Sequence, residues 1–230
     1  MRIDLIVPQF RIKPWKPELT RVSHLTIETN MTCNFRCHTC YNRNRDYVKD
    51  VKQVLEEIDT GLRMRKADTI TILGGEPTLY PDLVQVVSYI KSKGVLCQML
   101  TNGYLILNDP EDKMLKDLVA AGLGRIMFHV DKGQDKYSDP LTVLHKLFEK
   151  TEKLKLLTSI SWTVYNNDQG YLPVLIREFS KYSHFDGVLA LLEKPMDECM
   201  KPGFRREDYP NMLDEHIALR NDLKLMPSLY

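Results

Sequence analysis

The chain has 230 residues, 43% of them hydrophobic and 27% charged, with a formal net charge of +1. That length supports one sizeable core, and the near-neutral balance gives no electrostatic basis for binding nucleic acid in bulk. No run of about 18 apolar residues is present to cross a membrane as a helix, and Met1 to Phe10 lacks the apolar stretch of a secretory signal. Five cysteines, an odd number with three of them crowded together, argue against a secreted disulfide framework. A cytoplasmic location is the expectation.

Residues 1–20 hold Pro8, Pro14 and Pro17, which break regular structure, so an extended lead-in is expected there. Arg11, Lys13 and Lys16 beside Trp15 read as a solvated face. Ser23–Asn30 alternates apolar and polar residues, as a strand does. Cys33, Cys37 and Cys40 follow with the spacing C-x3-C-x2-C. Thiolates are soft ligands that suit iron–sulfur clusters or zinc. Three from one loop can hold three corners of a [4Fe–4S] cube and leave one iron open. A zinc site is the alternative, with His38, Cys97 or Cys199 as fourth ligand.

Residues 47–66 carry Val51, Val54, Leu55, Ile58 and Leu62 at roughly helical spacing. Thr69–Leu73 reads as the second strand and runs into Gly74, Gly75, Glu76 and Pro77. A glycine pair lets backbone approach a partner closely, and Glu76 brings a carboxylate.

The cysteine triplet, followed one strand later by Gly-Gly-Glu-Pro, resembles the radical S-adenosylmethionine (SAM) superfamily. The resemblance implies that Cys33, Cys37 and Cys40 hold a [4Fe–4S] cluster whose open iron chelates SAM. It implies that Gly74, Gly75 and Glu76 hold the methionine amino end of SAM, and that reductive cleavage gives a 5′-deoxyadenosyl radical. One departure stands out. The superfamily places an aromatic before the third cysteine; here that position is Thr39, and Tyr41 follows instead, so Tyr41 is the candidate to pack on SAM.

Residues 81–93 read as a helix with proline in its first turn and Gly94 after its end. Val95–Leu100 reads as the third strand. It leads into Thr101-Asn102-Gly103, an ordinary turn sequence that also recurs in the superfamily, making Asn102 a candidate SAM contact. Cys97 is expected on the opposite strand face from Gln98, as a buried free cysteine. A helix over 111–121 ends at Gly122. The fourth strand, Arg125–Asp131, places His129 and Asp131 on one face, and the resemblance makes both candidate SAM contacts. A helix follows at about 140–154.

Ser159–Val164 sorts Ser159, Ser161 and Thr163 onto one face and Ile160, Trp162 and Val164 onto the other. Under outer helices the polar face must point inward. A wet or ligand-filled interior is expected, with Ser161 a candidate cofactor contact. Residues 171–181 read as a helix and Gly187–Leu192 as a sixth strand. Cys199 and a charged, helix-like tail over 205–230 come after.

Six strand signals alternating with helices argue an α/β fold with parallel strands. The superfamily's partial (β/α)6 TIM-like barrel is the expected form, with residues 21–195 as its core and 196–230 as a C-terminal tail. The expected function is hydrogen abstraction from a small-molecule or cofactor-precursor substrate. A one-electron donor such as flavodoxin or ferredoxin is implied. Modification or activation of a peptide or protein ranks second. A non-catalytic zinc or iron–sulfur interaction module is the alternative of another class.

Overall fold

The computed structural model describes residues 21–38, 40, 42, 45–165 and 170–192. The lead-in, the tail and Cys199 lie outside these residues, as do Thr39, Tyr41 and Arg43. Apolar β-branched runs form six strands: β1 (Arg21–Glu28), β2 (Lys66–Leu73), β3 (Leu96–Thr101), β4 (Leu123–His129), β5 (Leu157–Val164) and β6 (Phe185–Leu192). Every neighbouring pair is parallel, and the spatial order equals the chain order. A sheet that never reverses its strand order coils as barrel staves do; a doubly wound sheet reverses at a switch point. β1 and β6 are the two edges, so this is the six-stave partial barrel expected from the sequence.

The crossovers carry α1 (Val51–Met64), α2 (Leu83–Ser92), the short α3 (Tyr104–Leu107), α4 (Lys113–Ala121), α5 (Pro140–Lys153) and α6 (Tyr171–Phe179). Asp50 caps α1 by accepting from the Lys52 N–H. Asp139 caps α5 in the same way, with Pro140 in the first turn. Each helix buries one apolar stripe on the outer face of the sheet. Val54 and Ile58 of α1, Val86, Val87 and Ile90 of α2, and Leu172, Leu175 and Phe179 of α6 are at most 3% exposed. Each such side chain contributes about 1.5–3 kcal/mol.

The strands divide as their alternation demands. Ile70, Ile72, Cys97, Met99, Ile126, Phe128, Ile160, Trp162 and Val164 belong to the core beneath the helices, and Trp162 stacks on Tyr171 of α6. Cys97 is the buried free cysteine foreseen for it. The opposite face is polar. Thr26, Thr71, Gln98 and Arg125 lie side by side across four strands. Arg125 Nε approaches Asp186 Oδ2 at 2.9 Å, a charge contact without hydrogen-bond alignment. Both residues sit beside register shifts in their strands, and such bulges re-aim side chains. The pair lies toward the N-terminal strand ends.

One helix is shorter than its periodicity suggests. Residues 47–50 are not part of α1. Met31 N–H donates to Tyr47 O and Lys49 N–H to Thr29 O, and Asn30 bridges Val48 antiparallel. This short ladder pins together the two ends of the cysteine loop. Local hydrophobic spacing cannot reveal it, because the bridged residues Asn30 and Val48 are 18 positions apart.

Candidate active site

The cysteine loop leaves the C-terminal end of β1 and is held by backbone and aromatic contacts. Phe35, 1% exposed, sits between Tyr104 and Tyr137 with ring centroids at 5.6 and 5.0 Å. Its carbonyl accepts from Arg45. Arg36 N–H donates to Asp135 Oδ1 at 3.0 Å and His38 N–H to Gly133 O at 2.9 Å, which ties the loop to the segment after β4.

Within this frame Cys33, Cys37 and Cys40 are free thiols of intermediate exposure. Burial pushes the Cys33 thiol up, and pushes Cys37 up to about 12, with Cys40, Asp131 and Cys33 adding repulsion. Several thiolates in one half-buried loop therefore need a cationic partner. Phe35 N–H donates to Cys33 Sγ at 3.4 Å, a contact that favours a thiolate. The donor set is all sulfur, soft and clustered, which fits an iron–sulfur cluster. Among the described residues no group of three or more His, Cys, Asp or Glu is placed to hold a single metal ion.

Gly74 to Glu76 hold this loop from behind. Gly75 N–H donates to Asn30 O at 2.7 Å and Glu76 N–H to Thr32 O at 2.8 Å. A Cβ on Gly75 would run into the carbonyl oxygens of Met31 and Thr32, and one on Gly74 into that of Asn30. The glycines are thus required by backbone packed on backbone. Gly75→Ala is expected to cost about 1–3 kcal/mol through overpacking and to lower iron uptake on reconstitution. Thermal unfolding and iron analysis measure the two effects.

The Glu76 carboxylate has a different role from the one expected. It is 1% exposed and accepts from Thr78 N–H at 3.0 Å, Thr78 Oγ1 at 2.6 Å, Thr101 Oγ1 at 2.6 Å and Asn102 N–H at 2.8 Å. Four donors of the chain occupy it, so it locks the end of β2 to the end of β3.

Asn102 continues the lock. Its Nδ2 donates to Asn34 Oδ1 at 2.8 Å, its Oδ1 accepts from Tyr104 N–H at 2.9 Å, and its carbonyl accepts from Tyr137 OH at 2.9 Å. His129, Asp131 and Ser161 come together as one chain. His129 Nδ1 is 3.1 Å from Ser161 Oγ, and Nε2 is 3.2 Å from Asp131 Oδ2. Asp131, fully buried, also accepts from Gly133 N–H and Thr163 N–H. Ser159, Ser161 and Thr163 are at most 6% exposed. The hydroxyl row is therefore enclosed among its neighbours; it does not line open water. Beside the loop lies a cavity of about 660 Å³ bordered by Arg36, His38, Lys132, Asp135 and Tyr165. That volume is in the range of small-molecule sites.

The family model described as the Radical SAM superfamily matches residues 27–165. The chain belongs to the radical SAM superfamily. This is a superfamily of enzymes whose cofactors are SAM and a [4Fe–4S] cluster. A curated relative named as a glycyl-radical enzyme activating enzyme, from Methanocaldococcus jannaschii, is 34% identical over 106 residues, covering 44% of this chain and 41% of that protein. The GTP 3′,8-cyclase of Microcystis aeruginosa is 30% identical over 125 residues, covering 49% of this chain and 36% of the cyclase. Streptococcus suis SuiB, solved with bound S-adenosylmethionine, superposes with a TM-score of 0.73 at 15% identity over 89% of this chain and 49% of SuiB. The chain thus spans less than half the length of each, and SuiB informs the fold alone. Among the described residues no helix is long and apolar enough to cross a membrane.

Of the radical SAM candidates read from sequence, Cys33, Cys37, Cys40, Gly74, Gly75, Glu76, Asn102, His129 and Asp131 lie at or beyond the C-terminal strand ends, and Ser161 lies within β5 beside His129. Tyr41 lies outside the described residues. Sequence reasoning missed Asn30, whose Nδ2 donates to both Thr32 O and Glu76 O. It also missed Thr101 and Tyr137, and Gln134, which holds His129 O and the Asp131 N–H. Asn30, Thr101 and Tyr137 contact segments distant in the chain, so no local spacing marks them; Gln134 closes a local turn after β4.

Proposed function

We propose that this chain is the catalytic core of a radical SAM enzyme acting on a small-molecule or cofactor-precursor substrate, with Cys33, Cys37 and Cys40 holding the cluster. The observation that carries the reading is the mutual packing of the two motifs at the C-terminal strand ends, through Gly75 N–H to Asn30 O and Glu76 N–H to Thr32 O. Barrel active sites lie at that end. Cys33, Cys37 and Cys40 would hold a cluster whose chemistry, when bound, would be one-electron reductive cleavage of a SAM carbon–sulfur bond, giving a 5′-deoxyadenosyl radical for hydrogen abstraction. The electron comes from a flavodoxin or ferredoxin.

The chain's own residues bind, orient and exclude water. The Gly74–Glu76 backbone would hold the amino end of SAM. The His129 imidazole is held from both ring nitrogens by Ser161 and Asp131, and it would lie on the SAM side of the interior. Arg36, Lys132 and Asp135 border the adjoining cavity, a net positive lining that supports an anionic small molecule as substrate. The relative named for GTP cyclisation acts on a substrate of that class.

Anaerobic reconstitution with iron and sulfide, followed by electron paramagnetic resonance, tests the proposal. A [4Fe–4S]⁺ signal that changes when SAM is added is the expected result. A signal indifferent to SAM, or zinc uptake without iron, overturns it.

A further inference from the structure

A chain of hydrogen bonds fixes the orientation of two amides beside the cysteines. Tyr104 backbone N–H is only a donor, so the Asn102 atom 2.9 Å away is its oxygen. The other end of Asn102 is then Nδ2, which donates, so the Asn34 atom 2.8 Å from it is also an oxygen. Neither amide is free to be read the other way round. Asn34 Nδ2 is what remains. It is enclosed and has no hydrogen-bond partner among the described residues. An enclosed donor left unpaired carries an uncompensated desolvation cost.

Asn34 directly follows Cys33, inside the loop that Phe35 pins between Tyr104 and Tyr137. The next backbone N–H, that of Phe35, already donates to Cys33 Sγ at 3.4 Å. The acceptors this loop is built to gather are sulfurs. Hydrogen bonds to sulfur are one of the means by which a protein sets the potential of an iron–sulfur cluster.

We infer that the Asn34 side-chain amide is a positioned hydrogen-bond donor to a sulfur of the cluster, raising its reduction potential by stabilising the more negative, reduced state. This rests on the proposal that Cys33, Cys37 and Cys40 hold that cluster. Asn102 is the positioning residue that keeps the donor in place.

The test is a potentiometric titration of the reconstituted 230-residue chain without SAM, followed by electron paramagnetic resonance. Asn34→Ala removes the donor without adding charge. Asn34→Asp keeps the oxygen that Asn102 donates to and loses the donor. Both variants are expected to show a lower midpoint potential than the parent. For Asn34→Ala the expected change is about tenfold in the reduced-to-oxidised ratio, or about 59 mV for one electron. Asn34→Asp is expected to fall further because of its charge. A parental midpoint in Asn34→Ala overturns the inference, as does a shift that appears only once SAM is present, which would assign the donor to SAM. If Asn34→Ala takes up no iron, an unchanged midpoint in Asn34→Asp overturns it. Failure of the unmodified chain to take up iron strikes the cluster assignment itself.

Discussion

Cys37→Ala is expected to abolish cluster uptake and SAM cleavage together, while the barrel stays folded. Cys37 lies midway in the loop, with Cys40 N–H donating to its carbonyl at 3.2 Å. That backbone contact survives the substitution, as do the Phe35 socket and the Gly75 and Glu76 bonds that place the loop. The thiol itself is what is lost. Its proton is held up to about 12 by burial and by the neighbouring Cys40 and Asp131. It becomes a thiolate only when a metal takes the place of that proton. Loss of groups that merely orient a ligand costs 10–100-fold in metal affinity, so loss of the ligand is expected to exceed about 100-fold. Iron and sulfide analysis reads the first effect, and chromatographic detection of 5′-deoxyadenosine reads the second. Unchanged circular dichroism certifies the fold. A Cys37→Ala chain that still produced 5′-deoxyadenosine would refute the assignment of Cys37 as a ligand.

Glu76→Gln is expected to destabilise the protein by about 1–3 kcal/mol, the scale of leaving a buried donor without its acceptor. Typical domains have only about 5–15 kcal/mol in total. Glutamine keeps the shape but turns an amide NH₂ toward donors, and it weakens the bonds from Thr78, Thr101 and Asn102. Since those bonds join β2 to β3 beneath the cysteine loop, iron uptake is expected to fall as well. Urea unfolding with a lower midpoint and an unchanged slope is the readout.

The effect of pH follows from the buried carboxyl. Burial raises its pKa above the ordinary 4.5, with the donors of Thr101, Thr78 and Asn102 pulling the other way. A folded value above the unfolded one means that folding binds a proton. The contribution is then fully present below the unfolded pKa and is lost as pH rises through the folded one. The stability gap between the parent and Glu76→Gln is expected to narrow as pH rises above 4.5. A gap that widened instead would mean that the four donors outweigh burial.

The sequence by itself determined the barrel and both motifs. Six alternations of strand and helix period are local signals, and Ser159–Val164 even disclosed which of its faces is inward, because polar and apolar residues strictly alternate there. The cysteine triplet and the Gly-Gly-Glu-Pro turn are contiguous, so their chemistry is legible without a fold. Tertiary structure decided what those residues touch. Gly75 is a glycine because Met31 and Thr32 pass against it. The Glu76 carboxylate is consumed by a strand 25 residues on. Residues 47–50 leave the helical pattern to pair with Asn30 and its neighbours. Asn34 acquires an orphaned donor only because Asn102, fixed by Tyr104, claims its oxygen. Each of these depends on hydrogen bonds between segments distant in the chain. Periodicity carries no record of such partners, whereas burial makes every one of them obligatory.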